Sequence, residues 1–219
     1  MDPESTSSVE LARSGEGPWD ELSGTFVGTL ACDNADCGGR LAVAGDWGLH
    51  FDFDDFDGYG QPPLKDFYLV KYVNPALPMM KLPSRTPAAV KESVSSAGAV
   101  IFLSPNAAIG RLRHAVEALM NVQRIPRRVI DRKSGKSVPT TLHARIEEFR
   151  KKQPDVADVL LAVKWIGNEG THGQEMSVAD AELCAHALEA ALEALYGRND
   201  AELLKLVREI NRRKGLRRR

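Results

Sequence analysis

The sequence predicts a mainly α protein, a helical bundle preceded by a small β-rich N-terminal region. Three observations predict it. Beyond residue 87, apolar residues recur at helical spacing in six successive stretches. Before residue 75, short β-type runs are bounded by Gly, Asp and Pro. Between them, Pro75, Pro78, Pro83 and Pro87 mark an extended connector that no helix tolerates.

Taken in order, residues 1–22 are rich in Ser, Glu and Gly and read as a flexible acidic tail. Residues 23–80 form the β-rich region, with strand-like runs at Gly24–Leu30 and Phe67–Val70. Residues 81–215 form the bundle, and 216–219 a basic tail. Val90, Val94, Ala97 and Ile101 define one face of a first helix. Ser104-Pro105 restarts the chain into a second, striped by Ile109, Leu112, Val116, Leu119 and Met120. Residues 124–138 read as a basic loop. Leu142, Ile146 and Phe149 mark a third helix; Val156, Val159, Leu160, Val163 and Ile166 mark a fourth. Ser177-Val178-Ala179-Asp180 reads as a capping box opening a fifth helix with Leu188, Ala191, Leu192 and Leu195. A sixth carries Leu203, Val207 and Ile210.

The net charge of −1 conceals a split. Residues 1–80 hold 14 acidic and 4 basic residues; residues 81–219 hold 16 acidic and 25 basic ones. The second part is therefore a polyanion-binding surface in prospect, or a solvated helical face. Arg124, Arg127, Arg128, Arg132, Lys133 and Lys136 cluster in its basic loop. No aromatic residue interleaves them, so they suit a phosphate backbone rather than stacked bases. No apolar run reaches the roughly 18 residues that a membrane-spanning helix needs. The acidic N-terminus lacks a basic-then-apolar leader, and the chain is read as cytoplasmic, with no membrane partner.

Several motifs are incomplete. Cys32 and Cys37, followed by Gly38-Gly39, resemble one knuckle of a zinc ribbon, but structural zinc needs four ligands. His50 or Asp46 is the nearest completion; the reading adopted is a knuckle without metal, and no cofactor is expected. Asp52–Gly58 fails the calcium-loop register and reads as an acidic hairpin turn. Ser134-Gly135-Lys136-Ser137 ends like a phosphate-binding loop, but Ile130 stands where its first glycine belongs. Nucleotide hydrolysis by that route is excluded.

The densest signal is Lys164-Trp165-Ile166-Gly167-Asn168-Glu169-Gly170-Thr171-His172. Glycine costs a helix about 1 kcal/mol relative to alanine, so something besides helix stability selects this segment. The glycines are expected to break the fourth helix. His172 is a candidate general acid or base, with Asn168 and Lys164 beside it. On the second helix, Arg113 and Glu117 stand four apart and can pair on the surface or turn inward to orient the Asn168–His172 segment.

These features together resemble the bacterial family called domain of unknown function 4145. They are a Pro-rich lead-in, the helix Leu112-Arg113-His114-Ala115-Val116-Glu117-Ala118-Leu119, and a later Gly167-Asn168-x-x-x-His172. The resemblance covers residues from about 75 to 215. That family in turn resembles a branch of the HEPN superfamily (higher eukaryotes and prokaryotes nucleotide-binding). The resemblance implies an HEPN-like helical bundle, a homodimer, and a role in toxin–antitoxin or phage-defence systems with RNA or a partner protein of such a locus. Active HEPN members are metal-independent endoribonucleases with an Arg-x(4–6)-His motif. Asn168 and His172 match its polar residue and histidine; its arginine falls at Ile166, and Lys164 is the nearest cation. The implied catalytic set is His172, Lys164 and Asn168, with Arg113, Glu117, Arg127, Arg128, Arg132 and Lys133 binding or orienting phosphate. The rival implication is a non-catalytic dimerisation or adaptor module.

Overall fold

The computed structural model describes residues 23–34, 36–54, 58–60, 62–131, 133–171, 175–197 and Arg212. The chain divides into two compact units, Met1–Leu77 and Pro78–Arg219.

The first unit is an antiparallel meander of β1 (Ser23–Ala31), β2 (Arg40–Phe51) and β3 (Leu64–Asn74), with β2 central. Val43 and Leu49 of β2 are buried, and their even spacing puts them on one face. The register slips between Ala44 and Gly45, leaving Lys71 of β3 without an opposite residue. There the β3 backbone presses onto β2. A Cβ on Gly45 would stand 1.9 Å from the Leu69 carbonyl oxygen, so only glycine fits. Lys71 forms an ion pair with the neighbouring Asp46. The acidic stretch after β2 lies between that strand and its antiparallel neighbour β3. The Asp52 carboxylate accepts from Lys65 Nζ at 2.7 Å and from the Asp54 N–H at 3.1 Å.

The second unit holds five helices among the described residues: α1 (Ala88–Gly98), α2 (Pro105–Val122), α3 (Leu142–Arg150), α4 (Pro154–Thr171) and α5 (Val178–Tyr196). The apolar stripes bury as their spacing demands. Val90, Val94 and Ala97 of α1 join Ile109, Leu112, Val116, Leu119 and Met120 of α2 in one core. Leu142, Ile146 and Phe149 of α3, Leu160 and Val163 of α4, and Leu188, Ala191 and Leu192 of α5 complete it. Truncating any fully buried leucine here to alanine costs about 2–5 kcal/mol. Ser104 caps α2 by accepting from the Ala107 N–H, and Pro105 occupies its first turn, where a missing N–H costs nothing. Thr141 caps α3 through the Ala144 N–H.

Helix α2 ends in a Schellman turn. The Ile125 N–H donates to the Met120 carbonyl and the Arg124 N–H to that of Asn121, with Arg124 at φ 57°. A side chain in that conformation is strained, and the turn sends the chain sharply away from the helix axis. It leads into a two-stranded ribbon, β4 (Arg128–Ile130) and β5 (Ser137–Pro139). Asp131 makes the turn: its Oδ1 accepts from the Lys133 and Ser134 N–H groups, both at 2.7 Å. Gly135 supplies the required positive φ of 65°. The ribbon's hydrogen bonds hold the Asp131 carboxyl below its usual pKa.

The expectation of a mainly α, HEPN-like bundle is overturned. Sheet strands of 9, 12 and 11 residues, with a ribbon set between the helices, make the protein mixed α/β. Helical periodicity governs only one part of the chain, and residues 124–138, read as a loop, fold in part as strand. A second correction concerns α4. The glycines do not break it, because α4 continues through Gly167 and Asn168 to Thr171. The sixth helix expected over 203–210 lies outside the described residues.

Candidate functional site

Arg113 follows the buried Leu112 on α2 and so stands at the edge of the stripe that packs toward α4. Gly167 of α4 is buried directly beneath it. An added Cβ there would meet Arg113 Cδ at 2.9 Å and Arg113 Cβ at 3.0 Å. The glycine is therefore a seat for the arginine stem. Arg113 Nε is buried without a hydrogen-bond partner. One turn before, Lys164 is only 8% exposed, and its ammonium lies 3.1 Å from the centroid of the Trp165 ring. Burial, and then the neighbouring charge of Arg113, lower the Lys164 pKa from its ordinary value. Asn168, four residues beyond Lys164, shares its face and is half-buried.

Arg113, Lys164 and Asn168 thus gather where α2 and α4 pack. A buried cation beside a half-buried one forms an electropositive focus, suited to a phosphate oxygen or to charge developing on one. Trp165 is 53% exposed beside it, and its ring stands tilted against His143, centroids 5.9 Å apart. His172 lies outside the described residues.

The remaining predicted binding residues divide. Glu117 does not meet Arg113; its carboxylate meets His114 Nδ1 at 3.5 Å. Arg127 donates through Nε to Asn121 Oδ1 at 2.7 Å. Arg128 is tied across the ribbon to the Ser137 hydroxyl at 3.0 Å and the Ser137 carbonyl at 2.6 Å. Lys133 and Lys136 are exposed near the ribbon turn. Arg132 lies outside the described residues.

Sequence reasoning missed Arg145. It is 5% exposed, and its Nη2 donates to Asn121 Oδ1 at 2.7 Å and to the Ile125 carbonyl at 3.0 Å. A signal was present: Leu142, Arg145, Ile146 and Phe149 form an i, i+3, i+4, i+7 stripe with a cation inside it.

Cys32 and Cys37 are exposed free thiols on the β1–β2 connection. The Cys32 N–H donates to the Gly39 carbonyl and the Cys37 N–H to that of Asn34. Neither proposed completion reaches it. Asp46 pairs with Lys71, and His50 stands near the far end of β2, its ring against Phe67. Among the described residues no group of three or more His, Cys, Asp or Glu side chains could hold a metal ion. No described helix is long and apolar enough to cross a membrane.

No curated protein and no solved structure matches this chain. One family model does, and it covers residues 95–214, which include Arg113, Arg145, Lys164, Asn168 and His172. That match spans more than half of the sequence, so the chain belongs to the family described as Domain of unknown function (DUF4145).

Proposed function

We propose that the helical unit binds RNA by its phosphate backbone, with Arg113 and Lys164 gripping a phosphate where α2 and α4 pack and Asn168 orienting it. The observation that carries this reading is the burial of Lys164 next to Arg113, whose charge opposes it. A buried cation facing a second, half-buried one is costly unless an anion joins them. Lys133 and Lys136, exposed near the ribbon turn, add cationic side chains to the same unit. Trp165, with Lys164 over one face, offers the exposed remainder of its ring to a base, stacking being worth about 1–3 kcal/mol per base.

In this reading His172 is the proton-transfer group of a metal-independent cleavage, four residues beyond Asn168 in sequence. The likeness to HEPN ribonucleases enters here through the Asn168–His172 pattern and not through the fold. Arg113, brought from another helix, would do the work of the arginine that Ile166 replaces. A place in a bacterial defence or toxin–antitoxin locus belongs to the same proposal.

The test is fluorescence anisotropy on labelled single-stranded RNA across a salt series, with a cleavage assay on the same RNA. Arg113→Ala and Lys164→Met should each weaken binding at least tenfold and reduce the log–log salt slope by roughly one. His172→Ala should bind like the parent and not cleave. Unchanged binding by both cation variants would overturn the reading. Absence of RNA binding together with a dimeric mass in solution would instead favour the adaptor role, for which Leu183, 61% exposed on α5, offers an apolar contact.

A further inference from the structure

A second concentration of cationic donors lies elsewhere in the unit, where α2, the Arg124 turn and the start of α3 converge. It surrounds a cavity of about 320 Å³ lined by His114, Glu117, Asn121, Arg127, Thr140 and Arg145, with Leu142 as its apolar element. We propose that this cavity is a binding site for a phosphomonoester group. The proposal is independent of the RNA-backbone reading, which uses α4.

Residues of the lining keep unspent donors. Arg145 is nearly wholly buried, and its Nε has no partner. The Thr140 hydroxyl is buried and likewise has none. Arg127 uses only Nε, on Asn121, and leaves its terminal amines without a protein acceptor among the described residues. Buried polar groups left unmatched cost about 1–3 kcal/mol each, so folds rarely keep two at one cavity without a ligand or ordered water.

Asn121 explains why the two guanidinium groups stay together. Its single Oδ1 accepts from both Arg127 Nε and Arg145 Nη2, each at 2.7 Å. One amide oxygen thus clamps two like charges that would otherwise separate. The Schellman turn adds the Ile125 carbonyl, which accepts from the same Arg145 Nη2 at 3.0 Å. Residues 140 and 142 flank the N-cap of α3, so the positive end of that helix adds to the field.

The cavity also holds one carboxylate, Glu117, which lies 3.5 Å from His114 Nδ1 and whose charge acts on Arg145. Three donor groups from three chain segments match the three peripheral oxygens of a terminal phosphate better than the two of a carboxylate. The cavity volume lies at the small end of ligand sites, near the size of a mononucleotide.

The experiment is isothermal titration of the full chain with inorganic phosphate, adenosine 5′-monophosphate and adenosine. We expect the monophosphate to bind and adenosine not to. Arg127→Ala and Thr140→Val, at positions that are not core, should each weaken the monophosphate at least tenfold while the unliganded melting temperature holds. Arg145→Met should abolish binding, but it alone does not decide the matter, since it also removes a buried bridge. Oligonucleotides with and without a 5′-phosphate identify the source. A preference for the phosphorylated end marks a nucleic-acid terminus, and equal affinity marks a free small molecule. Failure of all phosphate probes, equal binding of adenosine, or parental affinity in both Arg127→Ala and Thr140→Val would overturn the proposal. Loss of RNA binding in Lys164→Met leaves it untouched.

Discussion

Gly167 and Arg113 meet so closely that the smallest side chain on the first would stand 2.9 Å from Cδ of the second. In an open helix, glycine to alanine gains about 1 kcal/mol. Here overpacking costs about 1–3 kcal/mol and should win. Gly167→Ala is expected to lower stability by roughly 1 kcal/mol in urea unfolding. In an Arg113→Ala background the same change should cost much less, because the γ and δ carbons are gone. A cost independent of residue 113 would show that the two do not interact in this way.

Lys164 makes stability depend on pH in a defined direction. Its folded pKa is lowered from 10.5 by burial and by Arg113. Between the folded and unfolded values the unfolded chain binds more protons, so stability contributed at this site rises with pH through that window. Lys164→Met keeps the stem and removes the charge. At pH 7 it should match or exceed the parent by up to about 1 kcal/mol. The gap should narrow as pH approaches 10. Urea midpoints at both pH values measure it, and a gap constant with pH would refute the burial argument.

The capping box of α5 titrates the other way. Ser177 Oγ accepts from the Asp180 N–H at 3.2 Å, and Asp180 Oδ2 accepts from the Ser177 N–H at 2.8 Å and hydroxyl at 2.7 Å. The Ser177 side chain and then its backbone hold the Asp180 carboxyl below its usual range. Its contribution is present above the ordinary carboxylate pKa and disappears as pH falls through the lowered value. Ser177→Ala should cost about 1 kcal/mol at pH 7. Asp180→Asn should be less stable than the parent at pH 7, and the two should converge on acidification, as thermal melts at stepped pH will register.

The three cysteines should separate by reactivity. Burial pushes the Cys184 thiol up to about 12, while Cys32 and Cys37 are exposed. A disulfide-exchange reagent at pH 8 is expected to titrate two thiols in the native protein and the third only after denaturation. Three fast thiols would mean that α5 does not hold Cys184 in the core.

How far the sequence disclosed this depended on the range of the interaction. The stripes of α1 to α5 were visible because burial forces apolar residues into a 3.6-residue period, and Val90, Leu112, Ile146 and Leu188 all obey it. The ribbon was not visible. Its strands are three residues long, too short for alternation, and Asp131 makes its turn through side-chain hydrogen bonds. The weight of the sheet was underread as well, since Phe67, Tyr68 and Leu69 are consecutive and all exposed, which blurs a period of two. Gly167 looked like a helix breaker because its reason lies on another helix. Only inter-helix register reveals that an arginine stem needs the space. Arg145, by contrast, was in plain view as a cation within an apolar stripe.

The ribbon also sorts the basic stretch into anchors and fingertips. Arg127 and Arg128 spend donors on Asn121 and Ser137, whereas Lys133 and Lys136 reach outward. Counting charges from the sequence therefore overstates how many ions a polyanion can displace here. Neutralising either lysine should soften the response to salt and leave folding alone, while neutralising Arg128 removes the tie that holds the ribbon's two strands at Ser137.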